Sequence, residues 1–106
     1  MRQMAPRELA KRLSADGEPP LLLDVREPWE FDICRIQGSE LLPMRHVVAC
    51  LDQLDRRRET VVICHHGIRS QQVALYLEHQ GFERLINLSG GVDAWARSVD
   101  SDMPTY

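Results

Sequence analysis

The segment of this sequence best suited to covalent chemistry is a cysteine followed by two histidines, a glycine and an arginine. Its residues are Cys64-His65-His66-Gly67-Ile68-Arg69-Ser70. A thiolate is a strong nucleophile, and nearby positive charge favours it over the thiol. Gly67 permits a backbone conformation that a side chain would obstruct. The segment is therefore typical of a loop that holds an anionic group against a reactive sulfur.

The residues on either side predict the elements that position this loop. Residues 61–64 are β-branched up to the cysteine and indicate a buried central strand. Residues 70–80 have a helical apolar pattern, with Ser70 as the expected N-cap and Gly81-Phe82 as a glycine C-terminus. Ligands of open α/β sheets bind where a strand ends and a helix begins. We therefore expect Cys64 at the bottom of a cup of backbone N–H groups.

Strand and helix patterns alternate along the rest of the chain. Strands are predicted at residues 21–25, 40–43, 61–64 and 85–88. Helices are predicted at residues 6–15, 27–33, 44–54, 70–80 and about 92–98. Such alternation implies right-handed crossovers and a largely parallel sheet covered on both faces. The prediction is an α/β fold of three layers, α/β/α, with a central sheet of about five strands.

Length and composition limit the function classes. The chain has 106 residues, 43% hydrophobic and 27% charged, which suits one domain over residues 1–106. Its net charge of −3 argues against broad binding to nucleic acid or to an anionic membrane. No apolar run approaches the ~20 residues of a membrane-spanning helix. Three cysteines and no export signal pattern predict a cytoplasmic protein with a free thiol.

The loop resembles the active-site loop of the rhodanese family, which has a Cys, four residues and an Arg, with Gly at the same place. Other segments resemble family signatures in the same order along the chain. They are residues 23–31, 36–39, 81–82 and 88–95, with Pro104 and Tyr106 similar to a common ending. Four separated matches in the right order are far more specific than a lone cysteine and arginine.

The resemblance implies a rhodanese-like fold and a thiosulfate sulfurtransferase activity. Cys64 would be the catalytic nucleophile that takes the outer sulfur of a small anionic donor as a persulfide. A thiol, cyanide or a protein cysteine would accept that sulfur, and no cofactor is expected. Arg69 would orient the donor's oxyanion end, and Ser70 would cap the helix. The other substrate-binding residues would be His65, His66, Gly67 and Ile68, with both histidines at the rim adding positive potential when protonated.

Two other functions remain open at this stage. Cysteine-dependent phosphatases and arsenate reductases of the same fold generally have five residues between Cys and Arg, whereas Cys64 and Arg69 are separated by four. The smaller cup favours a single sulfur atom over a tetrahedral oxyanion. A non-catalytic thiol sensor is the second alternative, because an exposed thiolate is also a target of oxidation. Cys34 or Cys50 would then form a disulfide with Cys64 if either lies close enough.

Metal binding is not predicted. His46 and Cys50 lie four residues apart on a predicted helix, and His65 and His66 are adjacent in the loop. Two ligands do not make a site, and adjacent loop residues are expected to point in different directions.

Overall fold

A computed structural model describes all residues from Met1 to Tyr106. Its strands are β1 (Arg2–Met4), β2 (Leu21–Asp24), β3 (Glu40–Leu41), β4 (Thr60–Ile63) and β5 (Leu85–Leu88). Its α-helices are α1 (Pro6–Ser14), α2 (Pro28–Ile33), α3 (Ile68–His79) and α4 (Gly91–Ser98). None of these helices combines the length and the apolarity needed to cross a membrane.

The five strands form one sheet in the order β1-β5-β4-β2-β3, and every neighbouring pair is parallel. The α/β fold with a parallel five-stranded sheet is therefore confirmed. Because all strands run the same way, their carboxyl ends lie at one edge of the sheet. The loop that begins at Cys64 follows β4, the central strand, and so starts at that edge.

The sheet is covered on both faces because its central strands are apolar on both faces. All residues of β2, β4 and β5 are buried. Leu22, Val61 and Ile86 contribute to one core cluster, which also contains Leu9 of α1 and Trp95 of α4. The alternate positions contribute to the second cluster, against α3. Each fully buried side chain of this kind contributes about 1.5–3 kcal/mol to folding.

The first strand was not predicted. Residues Arg2 and Gln3 are exposed and only Met4 of β1 is buried, so the segment shows no apolar alternation. It joins the sheet at its edge, where Arg2 is paired with Ile86 of β5. Backbone pairing with a preformed strand, which no local pattern reveals, decides this element.

The helix predicted over residues 44–54 is wrong. The structure has two 3₁₀ turns there, at Met44–His46 and Leu51–Gln53. Val47 is buried in the second core cluster, whereas the neighbouring Val48 is 67% exposed. Adjacent β-branched residues are weak helix formers, and short 3₁₀ turns still bring the apolar side chains onto the sheet.

The N-terminus of α3 also differs from the prediction. The helix begins at Ile68, and its N-cap is Gly67 with a φ of 95°, so Ser70 lies in the first turn and caps nothing. The predicted glycine C-terminus is confirmed. Gly81 N–H donates to Glu78 O and Phe82 N–H donates to Leu77 O, both at 3.1 Å, which is the Schellman pattern.

Candidate active site

Cys64 lies at the base of the loop between β4 and α3. Cys64 is 1% exposed, and its Sγ accepts a hydrogen bond from the Gly67 N–H at 3.0 Å. The Cys64 thiol donates in turn to the Ser70 Oγ at 3.2 Å. The sulfur therefore contacts one backbone donor and one hydroxyl. Of the several inward N–H groups expected from the sequence, one, that of Gly67, contacts the sulfur.

Asn87 holds the two residues that contact the sulfur. The Ser70 hydroxyl donates to Asn87 Oδ1, and Asn87 Nδ2 donates to Gly67 O at 3.1 Å. Asn87 lies in β5 and is 2% exposed. Sequence reasoning assigned it no role, although a buried polar residue inside an apolar strand signals a hydrogen-bonding task.

The start of α4 braces the loop from the other side. Val92 N–H donates to Cys64 O at 2.9 Å, and Asp93 N–H donates to His65 O at 3.1 Å. Gly91, with a φ of 60°, makes this approach feasible. A Cβ there would lie 2.3 Å from Cys64 O, far inside contact distance. Glycine at position 91 is therefore required by a close approach of two backbone segments.

Arg69 forms a fork with Glu30, at the start of α2. Its Nη1 and Nη2 donate to the two Glu30 carboxylate oxygens at 2.8 and 2.7 Å. The Glu30 side chain is only 4% exposed. The hydrogen bonds from Arg69 lower the pKa of Glu30 from 4.5 to about 2, and those to Glu30 raise the pKa of Arg69. Arg69 therefore enters the site already paired with a carboxylate.

Tyr106 connects this fork to a second, fully buried ion pair. Its hydroxyl donates to Glu30 Oε1 and accepts from Arg26 Nη1, both at 2.9 Å. This pair lies at the end of β2. Asp24 is the last residue of the strand, and its Oδ2 contacts Arg26 Nη2 at 2.7 Å. Burial, as the first cause, raises the pKa of Tyr106 to about 12, so its hydroxyl stays protonated.

The two loop histidines lie together at the rim. Their ring centroids are 3.8 Å apart, and His65 also stacks on Tyr106 with an interplanar angle of 6°. The expectation that these adjacent side chains point in different directions is therefore wrong. Burial, followed by the proximity of His66, lowers the pKa of His65. The lowered pKa disfavours the protonated form of His65, which would have added positive potential at the rim.

Comparison with known proteins identifies the family of this chain. The rhodanese-like domain family matches residues 5–98 of the chain. The chain belongs to the rhodanese family. A sulfurtransferase of Allochromatium vinosum is 40% identical over 89 residues, covering 84% of this chain and 82% of that protein. The thiosulfate sulfurtransferase GlpE of Vibrio cholerae is 35% identical over 77 residues and covers 73% of each chain.

Structural comparison agrees with this family. The crystal structure of a rhodanese-like domain protein from Staphylococcus aureus has a TM-score of 0.85 and 27% identity, covering 100% of this chain and 99% of that one. Several curated relatives are much longer, and the chain spans 30% or less of their length.

The other two cysteines of this rhodanese domain are also free thiols. Cys34 lies in the core cluster on the face of the sheet opposite to Cys64, where its Sγ contacts Arg26 Nη1 at 3.8 Å. Cys50 is half-buried beside the 3₁₀ turn at Leu51–Gln53. Placement of Cys34 behind the sheet leaves it poorly placed to form a disulfide with Cys64.

Besides Asn87, sequence reasoning missed two further residues that shape the rhodanese loop, Glu30 and Tyr106. Glu30 was visible only as part of the segment 23–31, and Tyr106 only as part of a familiar ending. Each is polar and distant from Cys64 in sequence, so no local pattern assigns its partner. The remaining loop residue, Ile68, is strongly exposed at the rim.

Proposed function

We propose that this protein is a sulfurtransferase that carries a sulfane sulfur on Cys64 as a persulfide. The observation that carries the proposal is the Gly67 N–H donated to Cys64 Sγ at 3.0 Å. A fixed backbone donor of this kind stabilises negative charge on sulfur at no reorganisation cost. The named activities of the relatives from Allochromatium vinosum and Vibrio cholerae support the same reaction class.

The first half-reaction loads Cys64. Its thiolate attacks the outer sulfur of a donor such as thiosulfate and forms a new S–S bond. The S–S bond of the donor breaks, and sulfite leaves with the electron pair. The Gly67 N–H group then stabilises the charge of the resulting persulfide, and the Ser70 hydroxyl is the second polar group beside it.

The second half-reaction removes the sulfur from Cys64. A thiophilic acceptor, which could be cyanide, a small thiol or a protein cysteine, attacks the outer persulfide sulfur. The S–S bond to Cys64 breaks and returns the electron pair to the thiolate. No net oxidation occurs across the cycle, so no cofactor is needed. Because the cycle requires a free thiol, a reducing compartment such as the cytoplasm suits it.

The rim residues would receive the donor. Glu30 occupies one N–H of each terminal nitrogen of Arg69, so the guanidinium keeps further donors for an oxyanion end. His65, His66 and Ile68 would line the entrance above the sulfur. The negative charge of Glu30 compensates the positive charge of Arg69. The site would therefore recognise the donor through directed hydrogen bonds more than through long-range electrostatic attraction.

Mass spectrometry of the untagged protein tests this proposal. Incubation with thiosulfate should add one sulfur atom to the chain, and peptide mapping should place it on Cys64. The Cys64→Ser variant should gain none, whereas Cys34→Ser and Cys50→Ser serve as matched controls and should load normally. An absent adduct, or the same adduct on Cys64→Ser, would refute the proposal. Steady hydrolysis of an aryl phosphate that depends on Cys64 would instead support the phosphatase alternative.

A further inference from the structure

A cluster of metal-ligating groups lies at the rim of the loop. The proposed sulfur transfer uses none of these groups as a metal ligand. The potential ligand atoms of His65, His66 and Asp93 all lie within 4.8 Å of one another. The His65 Nε2 atom is buried and has no hydrogen-bond partner in the protein. A buried polar atom without a partner costs about 1–3 kcal/mol, which a ligand bound at Nε2 would relieve.

The backbone holds the three groups in place. His65 and His66 belong to the loop after β4, and Asp93 lies in the first turn of α4. The Asp93 N–H to His65 O hydrogen bond, 3.1 Å long, joins these two segments directly. On one side, His65 is fixed by its stack on Tyr106. This frame keeps the three potential ligand atoms within 4.8 Å of one another.

The donor set indicates the ligand class. Two imidazoles and one carboxylate suit a borderline divalent transition metal, and three protein ligands with one open position are typical of zinc. We propose that His65, His66 and Asp93 form a binding site for a divalent transition metal of the zinc type. Cys64 is not among its ligands, so zinc binding can be measured without the persulfide, although His65 and His66 also line the entrance in the proposed function.

Arg97 limits the affinity of this site. Its guanidinium binds the Asp93 carboxylate, with Nε to Oδ2 at 3.0 Å and Nη2 to Oδ1 at 3.4 Å. Each carboxylate oxygen retains a lone pair for a metal. The nearby positive charge nevertheless opposes a cation, so removal of Arg97 should tighten metal binding.

Calorimetric titration with zinc chloride tests the proposal, using untagged protein in the Cys64→Ser background to remove the reactive thiol. Saturable one-to-one binding is expected. His66→Gln and Asp93→Asn should each weaken it at least about tenfold, because loss of even an outer-shell group costs about 10–100-fold in metal affinity. Arg97→Gln should strengthen it. His46→Gln, on a histidine outside the cluster, is the matched control and should bind as the background does.

Histidine-selective NMR gives a second readout that does not depend on affinity. Zinc should shift the ring signals of His65 and His66 and leave those of His46 and His79 unchanged. The proposal is overturned if the Cys64→Ser protein binds no zinc. It is equally overturned if His66→Gln and Asp93→Asn bind zinc as tightly as their background. Circular dichroism of each variant verifies that it is folded.

Discussion

The Arg69 guanidinium is bound at both terminal nitrogens by the carboxylate of Glu30, at 2.8 and 2.7 Å. The two residues are 39 positions apart in the chain, at the starts of α3 and α2. Arg69 is therefore fixed in direction before any substrate arrives, and its charge is compensated.

Replacing Glu30 with Gln should change the acid stability of the fold. Because the folded pKa of Glu30 is lowered to about 2, its contribution is complete above 4.5 and is lost as pH falls through about 2. The wild type should be more stable than Glu30→Gln at neutral pH by up to about 3 kcal/mol. This gap should close on acidification, as measured by urea unfolding at several pH values. Glu8→Gln, on an exposed glutamate, should show no such gap.

Replacing Arg69 with Lys should raise the KM for thiosulfate. Lysine keeps the charge but cannot form the two-point fork or present fixed donors. We expect a rise of about tenfold, equivalent to ~1.4 kcal/mol, with a smaller effect on kcat. Steady-state thiocyanate formation from thiosulfate and cyanide measures both constants. Arg84→Lys is the surface control, and an unchanged KM in Arg69→Lys would mean that Arg69 only holds Glu30.

Replacing Ser70 with Ala should slow sulfur loading and destabilise the fold. The variant removes the hydroxyl beside Cys64 Sγ and leaves Asn87 Oδ1 buried without its donor. An unsatisfied buried acceptor costs about 1–3 kcal/mol. Urea unfolding measures the stability, and time-resolved mass spectrometry of the persulfide measures the loading rate. Ser98→Ala, on an exposed serine, should leave both unchanged. Equal loading rates in Ser70→Ala and Ser98→Ala would exclude Ser70 from the site chemistry.

Replacing Tyr106 with Phe, and separately with Ala, should distinguish the contribution of its hydroxyl to stability from that of its ring. Loss of the hydroxyl removes one donor to Glu30 and one acceptor for Arg26, at an expected cost of about 1 kcal/mol. Tyr106→Ala also removes the stack on His65 and should cost more. Urea unfolding compares the variants. Tyr76→Phe is the control, and similar stabilities of Tyr106→Phe and Tyr106→Ala would show that the ring contributes nothing.

Replacing Gly91 with Ala should destabilise the fold by about 2–4 kcal/mol, since the new Cβ meets Cys64 O at 2.3 Å and the φ is positive. Gly17→Ala is a matched control. Gly17 also has a positive φ, of 103°, but nothing lies within 4 Å of its Cβ position. Urea unfolding of both variants isolates the cost of the clash. Equal losses in the two would show that the backbones at Gly91 can move apart.

The sequence by itself determined the local features of this protein. β-Branched and apolar runs at β2, β4 and β5 predicted buried strands, because burial on both faces favours apolar side chains at most positions. Gly81-Phe82 predicted the end of α3, because few residues other than glycine adopt a left-handed C-terminus. The order Cys64, Gly67, Arg69 predicted the loop itself. These features depend on neighbours within a few residues, which a sequence displays directly.

Tertiary structure alone decided which distant groups meet. It placed Glu30 on Arg69, Tyr106 on Glu30, Asn87 on Ser70, and Asp93 beside the two histidines. It also replaced the predicted helix at residues 44–54 with 3₁₀ turns and added β1 to the sheet edge. Polar side chains carry no periodic signal for a partner far along the chain. Their pairing emerges only when parallel strands bring several loops to one edge of the sheet.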